Sequence, residues 1–261
     1  MTTKTAHGSR LEAALRRDGE RLALVPYTMA GYPDRPRSIE HGRAYARAGA
    51  AAIEVGVPYS DPLADGPVVQ RAGQAALDQG TTLADAIRVA AAIAEEDAPV
   101  VLMTYVSPIL SYGGRRLAVD AAAAGIAGVI IPDLPVEEAQ PLVEPLREAG
   151  LDTIFLVAPT SPGSRIRKIV EQSSGFVYCV TLAGVTGARS ELDPGLAALL
   201  SRLRAATALP VAAGFGISTP DHLRRLRGRA EAAVVASALL ARVQAGENPL
   251  ALAEELLQAC R

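Results

Sequence analysis

The stretch AAIEVGVPYSDPLADGP, Ala51 to Pro67, poses the question that decides the fold. Its first six residues read as a buried strand, yet they hold a glutamate, Glu54. Two aspartates, Asp61 and Asp65, follow in a loop broken by proline and glycine. A short apolar run without alternation is the pattern of a parallel strand covered on both faces. Seven more such runs recur along the chain: LALVPY (22–27), PVVLMT (99–104), AGVIIP (127–132), DTIFLV (152–157), FVYCV (176–180), LPVAAG (209–214) and EAAVVA (231–236).

Between the runs lie alanine- and charge-rich segments with helical start and stop signals. SIEHGRAYARAG opens on Ser38 as an N-cap and closes on Gly49 at the C′ position. TLADAIRVAAAIAEED and PVEEAQPLVEPLREAG have the same form. DPGLAALLSRLRAAT and NPLALAEELLQACR start with Asp or Asn before Pro. SRLEAALRRDG places an extra helix ahead of the first strand. Eight strands alternating with helices, with no linker or low-complexity break, predict one domain over residues 1–261. The expected class is α/β, a (β/α)8 TIM barrel with an additional N-terminal helix. A doubly wound open sheet is the alternative, weakened in its dinucleotide-binding form because no G-x-G-x-x-G follows the first strand.

Composition narrows the function. Aromatic residues make up only 4% and Trp is absent, so alanine and aliphatic side chains must fill the interior. A net charge of -2 without a basic face argues against a nucleic-acid partner. Cys179 and Cys260 offer neither a disulfide framework nor a metal spacing, and Cys179 reads as a small core residue. His7, His41 and His222 are scattered without ligand spacing, so no metal site is expected. The only lysines, Lys4 and Lys168, fall outside the expected strands, which removes a strand-end Schiff base. No G-x-S-x-G elbow occurs. The opening MTTKTAHGSRLEAALRRDG lacks the apolar centre of a signal peptide, and no apolar run of about eighteen residues is present. A soluble, cytoplasmic chain with no membrane association is the expectation.

Barrel enzymes place their chemistry at the C-terminal ends of the strands. GFGIS (214–218) and ASALL (236–240), after the seventh and eighth strands, stand where many barrels hold a phosphate on backbone N–H groups. Either turn alone is equally a tight βα connection. Glu54 reads as a buried carboxylate paired with an arginine, or as a general acid/base whose burial raises its pKa toward neutrality. Asp61 and Asp65 also fit plain turn roles in SDP and ADGP.

IEVGVPYSDPLADGPVVQ, PDLPVEEA, GVTGAR and AGFGIS, in that order, resemble the tryptophan synthase α subunit family, from VPYTMAGYP to the final helix. The resemblance implies a carbon–carbon lyase that cleaves indole-3-glycerol phosphate to indole and D-glyceraldehyde 3-phosphate. It implies no cofactor in this chain, and a β subunit carrying pyridoxal phosphate (PLP) that receives the indole within an α2β2 heterotetramer. Carried over residue by residue, Glu54 matches the general acid/base, Asp65 the acceptor of the indole N–H, and Tyr178 a tyrosine near the reacting centre. Tyr27, Tyr105, Ile130 and Leu156 match positions around the indole ring, and Thr186 a loop threonine that helps orient the aspartate. Gly187, Gly216 and Ser237 match phosphate-binding positions, with Phe215 and Ala236 beside them. Asp61 and Ser107 match positions facing the β subunit. The chain departs from the family pattern at Met29, usually threonine, at Ser107, commonly asparagine, and at Ala236, usually glycine. These departures keep a stand-alone lyase releasing free indole as an alternative. A non-catalytic partner of the β subunit is a further one, opposed by the retention of Glu54 and Asp65.

Overall fold

The computed structural model describes residues 8–16, 21–180, 194–214 and 216–261. Its strands are β1 (Ala23–Met29), β2 (Ile53–Gly56), β3 (Val100–Met103), β4 (Gly128–Ile130), β5 (Asp152–Ile154), β6 (Leu156–Val157), β7 (Val177–Val180), β8 (Val211–Gly214) and β9 (Ala232–Val235). They form one sheet in the order β5-β4-β3-β2-β1-β9-β8-β7-β6, and the pairings along it are parallel. The two ends of that order, β5 and β6, are separated only by Phe155, so the run read as a single strand serves both edges. Phe155 O accepts from Tyr178 N at 3.0 Å and Thr153 O from Ser174 N at 2.9 Å. Those bonds close the sheet into a barrel. The expected eight strands are therefore present, with the fifth broken where it passes from one neighbour to the other.

The helices are α1 (Arg10–Leu15), α2 (Arg35–Arg47), α3 (Pro67–Asp78), α4 (Leu83–Ala94), α5 (Val106–Tyr112), α6 (Gly114–Ala123), α7 (Gln140–Glu148), α8 (Gly163–Gln172), α9 (Pro194–Ala206), α10 (Pro220–Leu226), α11 (Ser237–Gln244) and α12 (Leu250–Ala259). Strand residues alternate between two cores. Ile53, Val55, Leu102, Val129 and Cys179 pack outward against the helices. Val25, Tyr27, Val101, Ile130 and Tyr178 fill the barrel, together with the small residues Ala23, Ala52, Ala212 and Ala232. Small side chains on one part of the ring leave room for the tyrosines on another.

The extra helix α1 joins that inner core. Leu11 and Leu15 are both fully buried in it. Ser9 caps α1 by accepting from Glu12 N at 3.1 Å, and its hydroxyl also bonds the buried Asp152 carboxyl.

Thr82 caps α4 as its sequence indicates. PVEEAQPLVEPLREAG opens on a short 3-10 turn, Val136–Glu138, before α7. Asp193 lies outside the described residues, and the start of α2 is corrected. The second helix starts at Arg35 and not at Ser38, with Asp34 accepting from Arg37 N at 2.8 Å and Pro36 in the first turn. Ser38 is fully buried, its hydroxyl donating to Arg35 O at 2.8 Å and accepting from Gly31 N at 3.2 Å. A tertiary partner has taken the group that the cap reading needed. Gly49, with φ 100°, occupies the expected left-handed stop. Among the described residues no helix is long and apolar enough to cross a membrane.

Candidate active site

Parity along β2 decides where Glu54 points. Ile53 and Val55 belong to the outer core, so Glu54 faces the barrel interior, in register with Tyr27 on β1 and Val101 on β3. The residue is 1% exposed, and its Oε2 has no hydrogen-bond partner among the described residues. No ion pair among the described residues includes it, so the arginine-paired reading finds no support. Burial pushes its carboxyl up to about 8, and the charge of Asp65 adds to the effect.

Asp65 arrives from the loop that follows. Its backbone N–H donates to Pro62 O at 3.4 Å, and its carbonyl accepts from the Gln70 side chain at 2.8 Å. Gly66 and Pro67 then start α3. Asp65 is thus a turn residue in its backbone, while its side chain is directed to Tyr105 and close enough to Glu54 for the two charges to interact. Burial pushes the carboxyl up to about 6, while a hydrogen bond from the Tyr105 hydroxyl pulls it down. That hydroxyl also accepts from Ala64 N at 3.2 Å, so Tyr105 holds the loop on both sides of the aspartate's peptide. Tyr59 stacks on Tyr105 with ring centroids 5.1 Å apart.

Tyr27 and Tyr178 complete the group. Both are buried, and both phenols are pushed well above their ordinary range, first by burial and then by the charges of Glu54 and Asp65. Each ring lies across a glycine of the neighbouring strand. A Cβ on Gly56 would come within 1.7 Å of the Tyr27 hydroxyl, and one on Gly214 within 2.2 Å of the Tyr178 hydroxyl. The Tyr27 hydroxyl donates to the Met29 sulfur at 3.7 Å, which gives the departure at Met29 a local use.

Ile130 is fully buried in the inner core, and Leu156 packs against it. Leu156 also lines a cavity of about 630 Å³, with Phe155, Val180, Ile131 and Ala64 around it. Ala64 ties that cavity to the Asp65 loop.

At the far side, Gly216 has φ 78°, and Ser237 is the first residue of α11. Ala236 precedes it without a side-chain cap, so the first-turn N–H groups of α11 have no acceptor from a cap. Asp61 and Ser107 are exposed, as are Leu63 and Leu110 on the same loop and helix, at 89% and 66%. Thr186, Gly187 and Phe215 lie outside the described residues.

Two contributors escape a reading of the sequence. Asp133, in the PDLP motif, accepts from Val106 N at 3.0 Å at the start of α5, and its charge helps to raise Tyr105. Its place directly after a strand is the signal that marks it. Tyr59 stands in the SDP loop without any local pattern to distinguish it. Among the described residues, no cluster of three or more His, Cys, Asp or Glu side chains is placed to hold a metal.

Comparison with known proteins places this geometry. The family model for the tryptophan synthase alpha chain matches residues 13–261. The tryptophan synthase alpha chain of Roseiflexus castenholzii is 53% identical over 230 residues, 87% of this chain and 88% of that protein. The one from Solibacter usitatus is 46% identical over 95% of this chain and 92% of that protein. Among solved structures, Mycobacterium tuberculosis tryptophan synthase superposes with a TM-score of 0.89 at 40% identity, covering 98% of this chain and 99% of that one. The alpha chain of Legionella pneumophila gives 0.86 at 30% identity, covering 97% and 98%. A barrel that buries Glu54 beside Asp65, matched along nearly its whole length, belongs to the tryptophan synthase alpha chain family.

Proposed function

We propose that this chain cleaves indole-3-glycerol phosphate by a proton-neutral retro-aldol cycle centred on Glu54. Protonated Glu54 delivers its proton to indole C3. Positive charge develops at the indole nitrogen, whose N–H is held by the Asp65 carboxylate. The Glu54 carboxylate then takes the proton of the side-chain hydroxyl as the C–C bond breaks, which releases indole and D-glyceraldehyde 3-phosphate. Glu54 ends the cycle protonated, as it began.

The single observation that supports this reading most is the buried Glu54 carboxyl, whose Oε2 has no hydrogen-bond partner among the described residues, raised to about 8 and sensing Asp65. A group poised near neutrality can both give and take a proton. Tyr178 borders the reacting centre. Tyr27, Tyr105, Ile130 and Leu156 enclose the indole. Thr186 helps to orient Asp65, while the backbones of Gly187, Gly216 and Ser237, flanked by Phe215 and Ala236, hold the phosphate. No cofactor is needed in this chain. Glu54→Gln and Asp65→Asn are each expected to reduce turnover of indole-3-glycerol phosphate by about 10²-fold or more. Near-normal turnover in either variant, with the fold intact by circular dichroism, would remove that residue from the mechanism.

The chain works beside a PLP-dependent β subunit in an α2β2 heterotetramer, with Asp61 and Ser107 on the shared face. Leu63 and Leu110, exposed next to them, supply the apolar area such an interface requires. The two cysteines, both buried and with no disulfide among the described residues, suit the reducing cytoplasm. Adding a β subunit is expected to raise the turnover of the isolated chain. Full activity without it, and no change on mixing, counts against the partnership.

A further inference from the structure

The turn over residues 216–219, which leads into α10, is held by a side chain that the retro-aldol chemistry does not use. Gly216 has φ 78°, and a Cβ added there would meet nothing within 4 Å. Glycine is required at this position by backbone conformation and not by space. Ile217 anchors the turn in the outer core, and Thr219 caps α10 by accepting from His222 N at 3.4 Å. The half-buried His222 ring then folds back over the turn. Its Nδ1 accepts the Ser218 N–H at 3.3 Å, and the Gly216 backbone also lies within hydrogen-bonding reach of the ring.

Burial, and next the Arg225 charge, push this imidazole below its ordinary value. The ring is therefore neutral near pH 7, with its lone pair on Nδ1 and its proton on Nε2. With the Ser218 N–H committed to His222, the Ile217–Ser218 peptide is fixed. Among the described residues of the phosphate reading, the backbone donors on offer are then those of Gly216 and of the first turn of α11.

We propose that His222 is a positioning residue for the phosphate end of the substrate. Its ring, bonded to the Ser218 N–H and set against the Gly216 backbone, holds the turn in the left-handed shape that offers the Gly216 N–H. The inference rests on the phosphate reading above and adds to it the group that preorganises the turn.

Steady-state cleavage of indole-3-glycerol phosphate by the full chain, with equilibrium binding of inorganic phosphate, tests it. In His222→Leu, the KM and the phosphate Kd both rise about fivefold while kcat stays within about twofold, as expected for losing one preorganising hydrogen bond. His222→Asn, whose Oδ1 replaces Nδ1, restores both constants. His222→Gln, whose amide sits one carbon further out, does not. A merely structural role would lower the melting temperature without separating Asn from Gln. Unchanged constants in His222→Leu, or equal constants in the Asn and Gln variants, overturn the proposal, and the Asn–Gln pair decides it alone if the Leu variant fails to fold. If inorganic phosphate neither binds the unmodified chain nor competes with substrate, the phosphate reading itself falls and this inference with it.

Discussion

A carboxyl buried inside the barrel, as that of Glu54 is, holds its proton at pH values where a surface glutamate has lost it. For the cleavage reaction this predicts a bell-shaped pH profile of kcat/KM, rising as Asp65 ionises near 6 and falling as Glu54 loses its proton near 8. Asp65→Asn should erase the acid limb from the residual activity and move the alkaline limb downward, because the Asp65 charge contributes to raising Glu54. An unmoved alkaline limb would mean that the two carboxyls do not interact. Folding stability has its own sign. Between the ordinary carboxyl value of 4.5 and about 8, folded Glu54 keeps a proton that the unfolded chain has released, so its contribution to stability falls as pH rises through that window. Glu54→Gln should therefore gain stability relative to the unmodified chain from pH 5 to pH 8, by on the order of a few kcal/mol, in urea titrations. A difference that stays constant across the range would argue against the buried, unpaired carboxyl. Glu54 was visible in the sequence as an anomaly in an apolar strand. Its partnership with Asp65, eleven positions on, was not visible without the family resemblance, because SDP and ADGP read equally well as turns.

At the scale of the element, the site is built by tyrosines laid across glycines on neighbouring strands. Tyr178 on β7 covers Gly214 on β8, and a Cβ there would also meet the ring carbons at 2.5 Å. Gly214→Ala should displace the tyrosine ring, destabilise the fold by about 1–3 kcal/mol and depress cleavage. Unchanged activity and unfolding midpoint together would show that the ring can move without consequence. Strand identity was legible from short apolar runs, but the role of the glycines at their ends was not. A glycine in a strand signals close approach of something, and only the structure says what. The start of α2 teaches the same lesson in reverse. Ser38 is a good cap residue by type, yet its hydroxyl is bound to Gly31 N and Arg35 O, and Asp34 caps instead.

For the whole molecule, the decisive device is closure. Asp152–Val157 spans both edges of the sheet, and α1 extends the core of the closed ring through Leu11 and Leu15. Leu11→Ala should cost about 2–5 kcal/mol of unfolding free energy, a value expected of a core residue and not of a dangling terminal helix. A loss below about 0.5 kcal/mol would show that α1 frays from the barrel in solution. The sequence by itself determined the order of strands and helices, the single-chain barrel and the placement of a carboxylate inside a strand. All of these follow from local apolar runs, caps and chain length. The tertiary structure alone decided which face of each strand points inward, since a strand buried on both sides carries no alternation to mark the inner face. It also decided the protonation of Glu54 and Asp65 and the seating of Tyr27 and Tyr178 over glycines. Desolvation, charge coupling and steric contact depend on neighbours through space, and closure of the barrel brings those neighbours together from strands far apart in the chain.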